Sequence, residues 1–125
     1  MTKVLLVDSE FEKYRSYLEP NFPDVDFTFA ENGDGVEPLL DGAEVLISFA
    51  RWLTADMTAD MGSLKWLQCM IAGTEHLKPS LAARPDVLLT NGRGIHGPQM
   101  AEMTLFHMLA LYRQVRRLAK NQAGH

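Results

Sequence analysis

A chain of 125 residues, 46% hydrophobic and 22% charged, has the composition of one ordinary globular domain, long enough to bury about two thirds of its unfolded surface. Its formal net charge of -4 gives no broad basic footprint for nucleic acid, and its single cysteine, Cys69, excludes an internal disulfide. No apolar run reaches the ~18 residues of a membrane span, and no leader-like segment precedes the first apolar run, so the expected location is cytoplasmic.

Five apolar, strand-like runs alternate with helical segments, a pattern that predicts a parallel sheet layered between helices. The first strand is Val4 to Val7; Ser9 and Glu12 then fit a capping box for a helix through about Leu18, each side chain satisfying the other's free backbone N–H. The second is placed near Phe27 to Ala30, entered through Pro20, Pro23 and acidic turn residues and closed by Asn32-Gly33. A short helix, Val36 to Leu40, leads to the third strand, Val45 to Phe49, whose loop runs through Ala50, Arg51, Trp52 and Leu53. Met57, Met61 and Leu64 recur at helical spacing before the fourth strand, Trp66 to Ile71, which ends in Ala72-Gly73-Thr74. Cys69, among Leu67, Met70 and Ile71, reads as a buried apolar thiol. A brief helix near Pro79 to Ala83 precedes the fifth strand, Val87 to Thr90. Right-handed crossovers leave few topologies for such an order, and the prediction is an α/β fold with a flavodoxin-like, doubly wound, five-stranded parallel sheet. Ligands then belong at the carboxyl ends of the strands, where Asp8, Arg51, Trp52, Ala72 to Thr74 and Asn91 to His96 lie.

The remainder, from Pro98 to about Gln122, predicts a single long helix, giving a sheet lobe over 1–97 and a helix over 98–125. From Met100 to Tyr112 only Glu102, Thr104 and His107 are polar. A helix apolar all round must be covered on more than one side, which implies a second domain, a second copy, or both. Arg113, Arg116, Arg117 and Lys120 complement the negative end of that helix. The preceding GRGIHG (Gly92 to Gly97) satisfies the dinucleotide pattern G-x-G-x-x-G, but no acidic residue or strand follows Glu102, and Pro98 removes an N–H that would hold a pyrophosphate. A tight turn, with Gly94 or Gly97 at positive φ and Pro98 as first helical residue, accounts for it.

Other chemistries find little support. Two carboxylates in Asp8-Ser9-Glu10 would repel a flavin phosphate. The VLLVDSE opening resembles a phosphorylation receiver domain, yet the third strand ends Ser48-Phe49-Ala50 without an acceptor aspartate and Lys78 precedes the fifth strand, so only a degenerate, receiver-like signalling module survives as an alternative. His76, His96, His107 and His125 have no metal-ligand spacing, and no metal site and no catalytic residue is assigned.

Small residues at a strand's carboxyl end let successive N–H groups face a small anion, as Ala72-Gly73-Thr74 would. LKWLQCMIAGTEHL (Leu64 to Leu77) and the stretch from Arg84 to Gln122, with Ala72-Gly73, Asn91 near Gly94, and Ala101-Glu102 opening the helix, resemble the amino-terminal lobe of the D-isomer-specific 2-hydroxyacid dehydrogenases. That resemblance implies a substrate-binding lobe whose long interdomain helix leads into a nucleotide-binding lobe lying beyond this sequence, together with the arginine, glutamate and histidine of the chemistry. The parent reaction would move a hydride between NAD or NADP and a small 2-oxo or 2-hydroxy acid; the chain alone would be inactive and hold no cofactor tightly. Gly73 and Thr74, beside Ala72, would bind the substrate carboxylate through backbone N–H groups, Arg51 and Trp52 would lie beside its variable end, and Met100 and Thr104, one helical turn apart, would face the nicotinamide. A homo-oligomer through the C-terminal helix is expected, with no nucleic-acid or membrane partner.

Overall fold

The computed structural model describes residues 1–31 and 35–124; the expected Asn32-Gly33 turn and His125 lie outside them. Residues 1–93 form one compact unit and 94–125 a second.

In the first unit β1 (Thr2–Val7), β2 (Val25–Ala30), β3 (Val45–Ser48), β4 (Trp66–Cys69) and β5 (Leu88–Asn91) form one sheet in the order β2-β1-β3-β4-β5, every pair parallel. This is the doubly wound order expected from the alternation. Its central strands are buried where the apolar runs required: Leu5, Val7, Leu46, Leu67 and Cys69 pack with Val36, Leu40, Leu53, Met61, Leu64 and Leu77. Cys69 is a buried free thiol that donates to the Phe49 carbonyl at 3.7 Å.

Helix α1 (Phe11–Asn21) starts and ends later than expected. The Ser9–Glu12 capping box does not form: Glu10 is the N-cap and has no side-chain cap. The buried Asp8 takes that role, accepting the Glu10 N–H on Oδ1 at 2.7 Å and the Phe11 N–H on its carbonyl at 3.3 Å. Pro20 sits inside the last turn of α1, where the Asn21 amide donates to the Tyr17 carbonyl. α2 is the short helix Glu37–Leu40. α3 (Ala55–Asp60) is capped by Thr54, whose hydroxyl oxygen accepts the Met57 N–H; Met61 and Leu64 lie past its end, both almost fully buried. A 3₁₀ turn (Glu75–Leu77) runs into α4 (Lys78–Leu81). β3 and β4 stop at the Ser48↔Cys69 pair, so Phe49, Met70 and Ile71 are loop residues, because the backbone leaves the sheet at Ala50, a non-glycine residue with φ of 54°.

The second unit holds α5 (Gly97–Tyr112) and α6 (Val115–Ala123), neither with a buried residue. The single helix expected from Pro98 to about Gln122 is therefore two. Gln114 is left-handed, with φ of 53°, and its side-chain oxygen accepts from the Arg117 guanidinium at 3.1 Å as α6 begins. Gly94 alone of the two candidate loop glycines has positive φ, and Pro98 is the second helical residue, after Gly97.

Two ion pairs contribute to the acid response of the first unit. Lys65 donates to the Glu44 carboxylate and lowers its pKa from the ordinary range, and the Arg84 guanidinium does the same to Asp86. A carboxyl whose folded pKa is lowered contributes stability above the unfolded value and loses it as pH falls through the folded one. Thermal unfolding is therefore expected to shift to lower temperature as pH drops below the usual carboxylate range, and Glu44→Gln should flatten that dependence; an identical pH slope in the variant would remove this pair from the account.

Candidate functional site

The loops at the carboxyl ends of β3 and β4 bring together five of the residues expected to bind ligand. After β3 the turn Ala50–Leu53 is closed by the Leu53 N–H donating to the Ala50 carbonyl at 3.2 Å. Its conformation is set from below by Ser48, fully buried at the strand end. The Ser48 Oγ accepts the Ala50 N–H at 3.0 Å and the Trp52 Nε1–H at 3.3 Å. Arg51 is exposed and Trp52 half-buried.

After β4 the chain runs through Ala72 (exposed), Gly73 and Thr74 (both half-buried) into the 3₁₀ turn. The Ala72 carbonyl accepts the Asn91 amide at 2.6 Å, and the Ile71 carbonyl accepts the Gly92 N–H at 3.2 Å, so the end of β5 braces this turn. Among the described residues no hydrogen bond takes up the Gly73 or Thr74 N–H. Two successive free donors past a strand's carboxyl end are the element from which an anion-binding nest is built. The Glu75 carboxylate overlooks them: a Cβ built on Gly73 would lie 3.0 Å from Glu75 Oε2.

Two residues that the sequence reading left aside tie these loops together. His76 Nε2 lies 3.3 Å from the Phe49 carbonyl, and the Ser80 hydroxyl donates to the Leu53 carbonyl at 2.9 Å. Neither bond has a signal in sequence, since partners 27 residues apart meet only once β3 and β4 are paired. At β1, Asp8 is committed to the α1 entrance, and together with Glu10 it adds to the burial that raises the Tyr14 pKa.

Met100 and Thr104, both exposed on α5, belong to the second unit. The Thr104 hydroxyl donates to the Met100 carbonyl at 2.7 Å, one turn back along the helix. A nicotinamide dinucleotide would need a phosphate cradle besides. The GRGIHG loop fits one poorly, because Pro98 withholds a donor at the helix start where a pyrophosphate would sit. Among the described residues no cluster of histidine, cysteine and carboxylates could hold a metal ion, and no helix is long and apolar enough to cross a membrane.

The family model for the D-isomer specific 2-hydroxyacid dehydrogenase catalytic domain matches residues 4–124. Among solved structures, a D-isomer specific 2-hydroxyacid dehydrogenase family protein from Aeromonas salmonicida is 31% identical with a TM-score of 0.78, the alignment covering 97% of this chain and 39% of that one. D-lactate dehydrogenase from Aquifex aeolicus, complexed with NAD and lactic acid, is 19% identical (TM-score 0.74; 94% of this chain, 36% of that one). Phosphoglycerate dehydrogenase from Lactobacillus plantarum is 24% identical (TM-score 0.55; 90% and 36%). These two share the fold. No curated protein sequence matches the chain. The chain thus spans about two fifths of the length of the solved proteins it resembles.

Proposed function

Because this chain belongs to the D-isomer specific 2-hydroxyacid dehydrogenase family, we propose that it is the substrate-binding lobe of an NAD- or NADP-dependent oxidoreductase acting on a small 2-oxo or 2-hydroxy acid. The observation that carries this reading is the pair of N–H groups on Gly73 and Thr74, past the carboxyl end of β4, that no described residue takes up; the Glu75 carboxylate beside Gly73 must swing aside for a substrate carboxylate to reach them. The bound nicotinamide would supply or take the hydride at C2 of the acid. Its phosphates find no cradle in the described residues, so in this reading the chain provides grip and the remainder of a longer protein provides cofactor binding and proton exchange. The chain alone then carries no turnover. Arg51 and Trp52 meet the variable end of the acid, Met100 and Thr104 the nicotinamide, and α5 mediates homo-oligomer formation. The family match leaves the receiver-like alternative without support, as does a third strand ending in Ser48 rather than an aspartate.

Titration with pyruvate, followed at the backbone amides, tests the reading. The Gly73 and Thr74 resonances are expected to move, and Gly73→Val to weaken the response by about tenfold or more by placing a branched side chain over the two donors. The substitution should leave the fold intact: φ at Gly73 is not positive, and the atom nearest the new Cβ is the free end of the Glu75 side chain. Unmoved amides in the wild-type chain, or equal affinity in a folded Gly73→Val, would reject the anion site.

A further inference from the structure

We propose that Ser48 is the positioning residue of this site, holding the Ala50–Leu53 turn so that Arg51 and Trp52 keep a fixed bearing and discriminate between acids by their variable end. The inference deepens the reading of this loop as a substrate contact and rests on it.

A non-glycine residue in the left-handed region is strained, and it persists only where its surroundings over-determine it. Ala50 is such a residue, and it is completely buried. Its N–H is a donor shut off from solvent, and among the described residues the acceptor it meets is the Ser48 hydroxyl oxygen, itself fully buried at the end of β3. The same oxygen takes the indole N–H of Trp52. One acceptor therefore fixes both the strained backbone at the start of the turn and the aromatic side chain near its end. Arg51 lies between these two anchors, and its exposed side chain is carried by whatever orientation they impose. The other side of the turn is equally constrained, by Ser80 on the Leu53 carbonyl and His76 on the Phe49 carbonyl. Both partners come from the segment that follows Gly73-Thr74, so the turn is held in register with the anion-binding donors. A serine that served only to fill space at the end of a strand would need none of these bonds; alanine would fill it as well.

The two roles separate in measurement. Site-resolved hydrogen exchange reports the turn directly: in Ser48→Ala the Ala50 amide and the Trp52 indole N–H are expected to exchange about tenfold faster or more, as follows from leaving a buried donor unpaired. The amides of Leu46 and Leu67 in the sheet should be unchanged. Ser48→Thr, which keeps the hydroxyl, should restore protection. Discrimination is read by amide-shift titration with two probes, pyruvate and 2-oxoglutarate, the second carrying a distal carboxylate that Arg51 could meet. The ratio of their affinities is expected to fall towards one in Ser48→Ala, while the response of Gly73 and Thr74 to pyruvate stays within about twofold; Trp52→Phe, which removes the indole N–H and keeps an aromatic ring, is expected to lower the ratio as well. Unchanged exchange at Ala50 in a folded Ser48→Ala, or failure of Ser48→Thr to restore it, would overturn the positioning role. Faster exchange with an unaltered affinity ratio would overturn the part in discrimination. If neither acid perturbs any amide in the wild-type chain while Ser48→Ala still frees the turn, the fault lies in the substrate reading, and the discrimination role falls with it.

Discussion

Replacing Arg84 by alanine is expected to lower the thermal midpoint by roughly 10 °C. Helix α3 ends after Asp60 and the chain has five residues, Met61 to Lys65, before it enters β4 at Trp66. Carbonyls at a helix end lack a partner in the helix, and here one guanidinium gathers the Thr58 carbonyl of the last turn together with those of Met61 and Leu64 in the segment that follows. Arg84 Nη1 donates to the Thr58 carbonyl at 3.1 Å and the Met61 carbonyl at 2.8 Å, and Nη2 donates to the Leu64 carbonyl at 3.0 Å. Asp86 accepts from Nε and Nη2 on the other edge, and that pairing raises the Arg84 pKa. The fixed fork of a guanidinium matches this arrangement, whereas an ammonium has one nitrogen and cannot reach carbonyls spread over seven residues. Arg84→Lys should therefore recover little of the loss. Asp86→Asn should cost far less than either, because it removes the solvent-facing partner and leaves the carbonyls bonded. A midpoint for Arg84→Lys equal to that of the wild type would show that charge alone suffices there.

The sheet was legible in the sequence because its evidence is local. Each strand is an apolar run bounded by turn residues, and the crossover rule reduces five such runs to a few strand orders, the doubly wound one among them. Ala72-Gly73-Thr74 stood out for the same reason, as small residues after an apolar run, although β4 itself ends earlier, at Cys69. What the sequence hid depends on distance along the chain. Ser48 reads as the polar end of a strand until Ala50 and Trp52 fold back onto it, His76 and Ser80 reach partners 27 residues away, and Arg84 looks like a solvated charge until α3 ends beside it. The failed capping box is instructive in another way. Ser9 and Glu12 had the right spacing, but the buried Asp8 binds the Glu10 and Phe11 N–H groups and the helix starts one residue later, with Glu10 as N-cap, which puts Ser9 and Glu12 out of register for the box. The break at Gln114 has no counterpart in sequence, since neither glycine nor proline interrupts YRQVRR.

Self-association through α5 carries the second large effect. Leu105, Phe106, Met108, Leu109, Leu111 and Tyr112 are each more than half exposed, and at 100° per residue they cover most of the helix circumference rather than one stripe. The Thr104 hydroxyl is turned back onto its own helix, which leaves Glu102 and His107 as the polar breaks in this surface. Burying a large apolar side chain is worth roughly 1.5–3 kcal/mol, while association costs on the order of 4–15 kcal/mol in lost freedom. A two-fold contact buries each residue twice, so three such side chains per copy already offset most of that cost and six exceed it. The chain is therefore expected to sediment as a dimer or larger species at micromolar concentration, and the double variant Leu105→Glu, Leu109→Glu, one turn apart on α5, to sediment as a monomer with its sheet signal unchanged. α6 should contribute little, because its apolar residues Val115 and Leu118 are interspersed with Arg116, Arg117 and Lys120, whose like charges oppose close approach of a second copy. Lowering the ionic strength should then weaken association if α6 lies in the contact and leave it unaltered if α5 alone does. A wild-type chain that remains monomeric across the whole concentration range would show that these side chains find cover without a second copy.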